Sequence, residues 1–180
     1  MDGQDKGLIT LHGRAMIDYI IGALRPQVAD IIINANRNPE QYGIYGLPVV
    51  ADMLGDYFGP LVGMATGMHT TDRPYIVTVP CDSPFIPGTL VETLFRSLDE
   101  QQADISVAHD GTRMQPVFAL LRCELLPSLL AYLDEGGRKI DTWYDQQRLA
   151  IADFSDTPDT FLNLNTPEDK LALESRMTGQ

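Results

Sequence analysis

Asp82 is the residue of this sequence best placed for phosphate chemistry. It follows Tyr75–Val79, a short run of mostly β-branched apolar residues that is typical of a strand buried on both faces, and Pro80 ends that run. Ligands of open parallel sheets bind outside the carboxyl ends of the strands, where a carboxylate can hold a magnesium ion that bridges phosphates. An aspartate before Ser-Pro is also ordinary turn chemistry, so Asp82 alone leaves both interpretations open.

Polar side chains follow two other predicted strands as well. Asn34 and Asn36 come directly after the apolar run 29–33, and Asp52 ends the short run 48–52. Strands that lie side by side in a parallel sheet bring such ends to one edge. Two carboxylates that lie near each other repel, and a divalent cation is the commonest way to stabilise them. The three strand ends together favour a functional edge lined by amides and carboxylates.

Lys6 is a candidate phosphate ligand in the opening loop. Its ammonium is a compact charge on a flexible stem, although a lysine near a terminus is usually solvated. His12, His69 and His109 do not have the spacing of a metal site. Ser83 has no histidine and acid placed to complete a catalytic triad, so a serine hydrolase is rejected.

The residues between these ends alternate between predicted strands and predicted helices. With no internal repeat and no linker, the alternation predicts an α/β fold with a largely parallel sheet in a single domain over residues 1–180. Backbone donors at the start of the helix over 61–69 would favour an anion, and Thr166 with Asp169 predicts a capping box at the last helix. The other predicted helices cover 16–24, 87–98, 125–135 and 138–146, and the later predicted strands cover 105–108, 116–121, 149–154 and 161–164.

Charge and cysteine content exclude several classes of protein. The chain has 13 basic and 25 acidic residues, a formal net charge of −12, so it has no basic surface for a nucleic acid. Cys81 and Cys123 form no disulfide framework, which is typical of a reducing compartment. No apolar run has the length of a membrane span and the N-terminus has no apolar signal region, so we expect a cytoplasmic protein without a membrane partner.

Six short segments, spread over essentially the whole chain, occur in the order that is seen in one family of proteins. They are Asp5–Leu8, Asn34–Arg37, Val49–Asp52, Gly59–Gly63, Pro80–Pro87 and Asn163–Glu168. In this order the chain resembles the molybdenum cofactor guanylyltransferases, and Asn163–Pro167 is the most telling segment. The resemblance implies a Rossmann-like, three-layer nucleotidyltransferase fold with a mostly parallel sheet.

The resemblance also implies a reaction and a set of site residues. The enzyme would transfer GMP from GTP to molybdopterin carrying molybdenum, releasing pyrophosphate and forming the guanine dinucleotide form of the cofactor. By similarity Lys6 would meet the nucleotide phosphates, Asn34 and Asp52 would contact the nucleotide, and Asp82 would hold Mg²⁺ together with the nucleotide. Lys6 and Asp82 would be the catalytic pair. Nucleotidyl transfer needs alignment and charge neutralisation rather than a protein nucleophile, which agrees with these residue types.

The same resemblance implies the remaining contacts of the protein. Asn163 and Asn165 fall where the family is expected to contact the pterin substrate. GTP and molybdopterin would be the small-molecule partners, and molybdenum-insertion proteins and molybdoenzyme chaperones would be the protein partners.

The chain departs from the family at its N-terminus. Members begin with an apolar strand and a glycine-rich loop, and the sequence before Asp5 contains neither. If Met1 is the true start rather than an internal methionine of a longer protein, we expect a sheet without its first strand, whose neighbouring strands expose unpaired edges, and a site without the loop that cradles the triphosphate. The expected consequences are weak GTP binding and either low stability or self-association.

Two other functions stay open from the residues alone. One is a related nucleotidyltransferase that uses CTP on the same pterin or acts on a sugar phosphate. The other is a non-catalytic protein that binds the pterin cofactor, because a fold does not guarantee an activity.

Overall fold

Strands and helices alternate along residues 5–55, 59–164 and 166–177, which this computed structural model describes. The alternation confirms the predicted α/β class. The strands are β1 (Thr10–Leu11), β2 (Arg14–Ala15), β3 (Ile33–Asn34), β4 (Val49–Val50), β5 (Tyr75–Thr78), β6 (Ile105–His109), β7 (Met114–Arg122) and β8 (Leu149–Asp153). The helices are α1 (Met16–Leu24), α2 (Pro39–Gly43), α3 (Pro60–Thr70), α4 (Leu90–Glu100), α5 (Leu126–Asp134), α6 (Ile140–Tyr144) and α7 (Pro167–Met177).

The main sheet has the strand order β5-β7-β6-β8 and is mixed. β8 runs parallel to β6, whereas β7 runs antiparallel to both β5 and β6. Only residues 110–113 separate β6 from β7, and so short a connection can form a hairpin but not a parallel crossover. The mostly parallel sheet expected from the sequence is corrected on this point.

Helices cover both faces of the main sheet, as expected for three layers. On one face the apolar side of α4 packs with Leu120, Ala150 and Phe118. On the other face α3 and α5 pack with Val107, Leu121 and the buried Trp143. β6 is buried along residues 105–108, because it has a neighbouring strand on each side and a helix layer on each face.

β3 and β4 form a separate two-stranded parallel sheet. Ile33 pairs with Val49, and Asn34 pairs with Val50. The ladder is shorter than the run 29–33 predicted from the sequence. Residues 29–32 lie along an open cavity instead of a paired neighbour, so they lack the partner that would extend the strand.

A cavity of about 1210 Å³ lies between β3 and β5, and we call it the central cleft. Among the described residues β3 pairs only with β4 and β5 pairs only with β7, so each strand leaves one edge open to the cleft. Ile17 and Ile21 of α1 and Met64 and Gly67 of α3 line its walls. At one end the guanidinium of Arg73 forms an ion pair of 2.7 Å with Asp30, both of which line the cleft.

The segment before α7 is a turn rather than the predicted strand over 161–164. Residues 158–161 form a 3₁₀ turn, and the N–H of Leu164 donates to the carbonyl of Asp82 at 2.9 Å. The predicted capping box is confirmed, because Thr166 Oγ1 accepts from the N–H of Asp169 at 3.1 Å and the Asp169 carboxylate accepts from the N–H of Thr166 at 2.8 Å. None of the helices in the described ranges is long and apolar enough to cross a membrane.

Candidate functional site

Lys6 and Asp82 form an ion pair at the carboxyl end of β5. Lys6 Nζ lies 2.9 Å from Asp82 Oδ2, and the two side chains are 38% and 13% exposed. Pro80 ends the ladder of β5, and the turn that follows brings Asp82 to Lys6, which is 76 residues away in sequence. The structure therefore joins the two residues that the sequence assigned to catalysis.

The ends of β3 and β4 bring Asn36 and Asp52 together. Asn36 Nδ2 donates to Asp52 Oδ2 at 2.7 Å, and the N–H of Asp52 donates to Asn36 Oδ1 at 2.7 Å. Asn34 Nδ2 donates to the carbonyl of Val50 at 3.1 Å. Parallel pairing of β3 with β4 is the cause, since it places both carboxyl ends at the same edge.

The start of α3 faces the same end of the central cleft. Gly59, with φ +75°, precedes Pro60 at the first helical position, and both residues line the cleft. A Cβ at Gly63, in the first turn of α3, would lie 2.6 Å from Asn34 Oδ1. The glycine therefore lets the helix approach Asn34 closely, and the backbone donors of its first turn add positive potential there.

These groups together form what we call the polar end of the central cleft, made of Lys6, Asn34, Asn36, Asp52 and Asp82. Lys6, Asn34, Asn36 and Asp52 line the cavity, and Asp82 joins them through Lys6. These side chains supply one ammonium, amide donors and carboxylates, and the N-terminus of α3 lies beside them. Such a set can bind phosphates of a nucleotide on the cationic and amide groups while a carboxylate holds a divalent cation.

Asn163 is anchored to the turn that carries Asp82. Ser83 is fully buried, and its Oγ donates to Asn163 Oδ1 at 2.5 Å. This contact gives Ser83 a structural role that agrees with the rejection of a serine hydrolase. Asn165, the second residue expected to contact the pterin, lies outside the described residues.

Asp5 and Tyr42 contribute to the site, although the sequence analysis gave a role to neither and named Asp5 only as the start of the segment Asp5–Leu8. Asp5 Oδ1 accepts from the hydroxyl of Tyr42 at 2.5 Å, next to Lys6 in the chain. No local pattern could have revealed the pair, because 37 residues separate its members. The only sequence signal was the acidic residue directly before Lys6.

Cys81 is the thiol at this end of the cleft. Part of the residue is exposed to solvent, but the cleft atoms around the thiol desolvate it, and this desolvation, together with the nearby charges of Asp82 and Asp5, raises its pKa to about 11. The thiol is therefore neutral near pH 7 and is not an activated nucleophile.

Asp82 is the carboxylate expected to hold Mg²⁺. No group of three or more histidine, cysteine, aspartate or glutamate side chains that could hold a metal occurs within the described ranges. Mg²⁺ does not need such a cage, because it binds through one or two carboxylates together with substrate phosphates. The largely buried carboxylate of Asp82 fits that mode of binding.

Comparison with known proteins identifies close relatives. The sequence model of the family described as MobA-like NTP transferase domain matches residues 1–149. The molybdenum cofactor guanylyltransferase of Shewanella sediminis is 49% identical over 173 residues, which are 96% of this chain and 88% of the relative. The enzyme of the same name from Shewanella frigidimarina is 47% identical over 177 residues, which are 98% of this chain and 90% of the relative.

Solved structures share the fold at low sequence identity. Molybdopterin-guanine dinucleotide biosynthesis protein A from Archaeoglobus fulgidus superposes with a TM-score of 0.80 at 18% identity, over 99% of this chain and 93% of that one. The 2-C-methyl-D-erythritol 4-phosphate cytidylyltransferase of Thermus thermophilus gives 0.73 at 14% identity, over 96% and 94% of the two chains. Both likenesses support the nucleotidyltransferase fold.

Proposed function

The chain belongs to the molybdenum cofactor guanylyltransferase family, and from that premise we propose that it transfers the GMP part of GTP to molybdopterin carrying molybdenum. A phosphate oxygen of the pterin forms a bond to the α-phosphorus of GTP, and the bond to pyrophosphate breaks. The products are the guanine dinucleotide form of the cofactor and pyrophosphate. The single observation that carries the proposal is the Lys6–Asp82 pair at the polar end of the central cleft.

Lys6 and Asp82 have different roles in this proposal. Lys6 contacts the nucleotide phosphates, where its ammonium offsets the charge that develops as pyrophosphate leaves. Asp82 would hold a divalent cation, and Mg²⁺ fits a single carboxylate together with substrate phosphates. When bound, that cation would neutralise further phosphate charge. Because the transfer needs no protein nucleophile, the neutral thiol of Cys81 takes no part.

Asn34 and Asp52 bind the nucleotide beside the start of α3. The contact of Asn34 with the carbonyl of Val50 and the paired hydrogen bonds between Asn36 and Asp52 support this role, because they fix the orientation of both side chains. Fixed donors and acceptors lose little entropy when a ligand binds.

The pterin substrate binds on the side of the Asp82 turn where Asn163 lies. The buried hydroxyl of Ser83 donates to Asn163 Oδ1, which leaves the amide donors of Asn163 for a ligand. Asn165 is proposed as a second pterin contact by similarity to the family alone. The free cysteines agree with a cytoplasmic location, where molybdenum-insertion proteins and molybdoenzyme chaperones are the proposed protein partners.

Nucleotide competition in a thermal-shift assay tests this function. Millimolar GTP with Mg²⁺ should raise the melting temperature, CTP with Mg²⁺ should not, and Lys6→Ala should abolish the GTP shift. Pyrophosphate release that depends on added molybdopterin should accompany GTP. An equal shift with CTP would favour the related cytidylyltransferase, and pterin binding without any nucleotide shift would favour a carrier.

A further inference from the structure

Asp5 links the turn that carries Lys6 to a distant part of the chain. Its Oδ1 accepts from the hydroxyl of Tyr42 at 2.5 Å, and its Oδ2 accepts from Asn38 Nδ2 at 3.0 Å. Asn38 immediately precedes α2 and Tyr42 lies within it. Both carboxylate oxygens of Asp5 are therefore bound to one short segment that lies beside the central cleft.

Tyr42 packs against the turn that carries Lys6. Its side chain is 3% exposed. Burial, and then the hydrogen bond to Asp5, raise the pKa of Tyr42 well above its ordinary value, so the phenol stays protonated and its hydroxyl donates a hydrogen bond to Asp5. Gly7 is buried directly against this hydroxyl, because a Cβ at Gly7 would lie 2.6 Å from it. The backbone after Lys6 thus has no room to move toward Tyr42.

The turn itself is tight. The N–H of Leu8 donates to the carbonyl of Asp5 at 3.1 Å, and the N–H of Ile9 donates to the carbonyl of Lys6 at 3.2 Å. These bonds close one turn of 3₁₀ helix over Lys6–Leu8. Fixing the side chain of Asp5 therefore fixes the backbone of Lys6, which is its immediate neighbour.

A lysine needs such support to act at a defined point. Its long stem has several rotatable bonds, and holding it in one geometry costs rotamer entropy. With its backbone fixed, the ammonium reaches Asp82 Oδ2 at 2.9 Å. A displacement of about 1 Å in a catalytic arrangement can cost about 100-fold in rate. A small movement of this turn is therefore sufficient to affect transfer.

We propose that Asp5 and Tyr42 are positioning residues that hold Lys6 at the polar end of the central cleft. They do so through the hydrogen bond from the Tyr42 hydroxyl to Asp5 and the contact of that hydroxyl with Gly7. The proposal rests on the proposed function for its effect on catalysis, but the placement of Lys6 can be measured without any substrate.

The substrate-free experiment compares the acetylation rates of the lysines in Tyr42→Phe. The phenylalanine keeps the ring and removes only the hydroxyl. The sequence contains Lys6, Lys139 and Lys170, so peptide mass spectrometry can follow each separately. We expect the rate at Lys6 relative to Lys139 to rise severalfold, because Asp82 no longer covers a well-placed ammonium. An unchanged ratio would overturn the proposal.

The kinetic experiment is a double-mutant cycle between Tyr42→Phe and Lys6→Ala. We expect Tyr42→Phe to lower kcat about tenfold in the wild-type background and to have little effect beside Lys6→Ala, since the two residues then act through one ammonium. An equal loss in both backgrounds would show that Tyr42 acts independently of Lys6. If the wild type transfers no GMP, the proposed function fails while the acetylation result still decides the positioning role.

Tyr45→Phe is the matched control. Tyr45 lies three positions from Tyr42, is half-buried, and its hydroxyl bonds to Asp18 rather than to Asp5. The variant Tyr45→Phe should leave both the acetylation ratio and kcat unchanged. If Tyr42→Phe melts at a lower temperature, Asn38→Gly provides a second variant, because it removes the other hydrogen bond to Asp5 at an exposed position and glycine accepts the φ of +53° that Asn38 adopts.

Discussion

β5 and β6 are similar apolar runs that the fold uses in opposite ways. Residues 105–108 of β6 are buried, and the strand is paired on both edges. Residues 75–78 of β5 are only half-buried, and one edge of the strand faces the central cleft. The proposed metal ligand follows the strand with the open edge. The inner strand β6 therefore supplies stability, whereas the cleft-facing strand β5 presents the chemistry.

The strongest test of this division is Asp82→Asn, which should remove function without unfolding the protein. We expect turnover to fall at least about 100-fold, because the carboxylate that would hold the charge-neutralising cation is lost. The melting temperature should stay close to that of the wild type. The measurement is GTP-dependent formation of the pterin dinucleotide.

Asp72→Asn is the control for that experiment. Asp72 is exposed in the connection between α3 and β5, and Asp72→Asn makes the same chemical change at a side chain that does not line the cleft. It should retain full turnover. Equal activity of the two variants would show that the proposed role of Asp82 is wrong.

Truncating the same side chain in the two strands should separate their stabilities. Val107 in β6 is 0% exposed, and Val107→Ala should cost about 2–3 kcal/mol of unfolding free energy. Val77 in β5 is half-buried beside the cleft, and Val77→Ala should cost about 1 kcal/mol or less. Urea denaturation measures both. Equal costs would mean that β5 is packed as tightly as the inner strand.

The thiol at the cleft should react slowly although it is exposed. With its pKa raised to about 11, Cys81 carries little thiolate at pH 8, and in a Cys123→Ser background we expect iodoacetamide labelling to be about tenfold slower than in the denatured chain. The rate should increase as the pH rises toward that value. Asp82→Asn should accelerate labelling, because it removes a negative charge that raises the pKa. A rate equal to that of the denatured chain would contradict this description.

Asp104→Asn should give the smallest effect, and on stability alone. Asp104 precedes β6, and hydrogen bonds from Arg148 lower its pKa. The charged Asp104 carboxylate therefore contributes its full stabilisation of the folded protein above the pKa that Asp104 has in the unfolded chain. That contribution is lost as the pH falls through the lower pKa of Asp104 in the folded protein. Because Arg148 is largely exposed, solvent screens the pair. Melting curves from pH 7 to pH 3 should converge for the two proteins, and turnover at pH 7 should not change.

Local sequence signals were sufficient to predict the helices and strands, but not to predict which strands pair with each other or in which direction. Helix α3 and the capping box of Thr166 with Asp169 follow from nearby glycine, proline and polar residues, so the sequence predicted them correctly. Strand direction and open edges depend on which strands meet, and the sequence interpretation missed the antiparallel course of β7.

The candidate site shows the same limit. The polar residues at the ends of β3, β4 and β5 could be anticipated, because parallel strands place such ends together. The contacts of Asp5 with Tyr42 and of Ser83 with Asn163 join residues 37 and 80 positions apart. Contacts at that separation leave no periodic pattern, so only the folded chain reveals them.

The attachment of residues 163–164 to the Asp82 turn has a consequence for how this protein can be shortened. The family match ends at residue 149, which suggests a convenient place to cut. A chain cut there would lose the partner strand of β6 from Ala150 onward, and with it both hydrogen bonds that hold the Asp82 turn from the far end of the sequence. The end of the domain match thus falls between β6 and the residues that hold the Asp82 turn, whereas the similarity to the Shewanella enzymes extends over 96% of the chain or more.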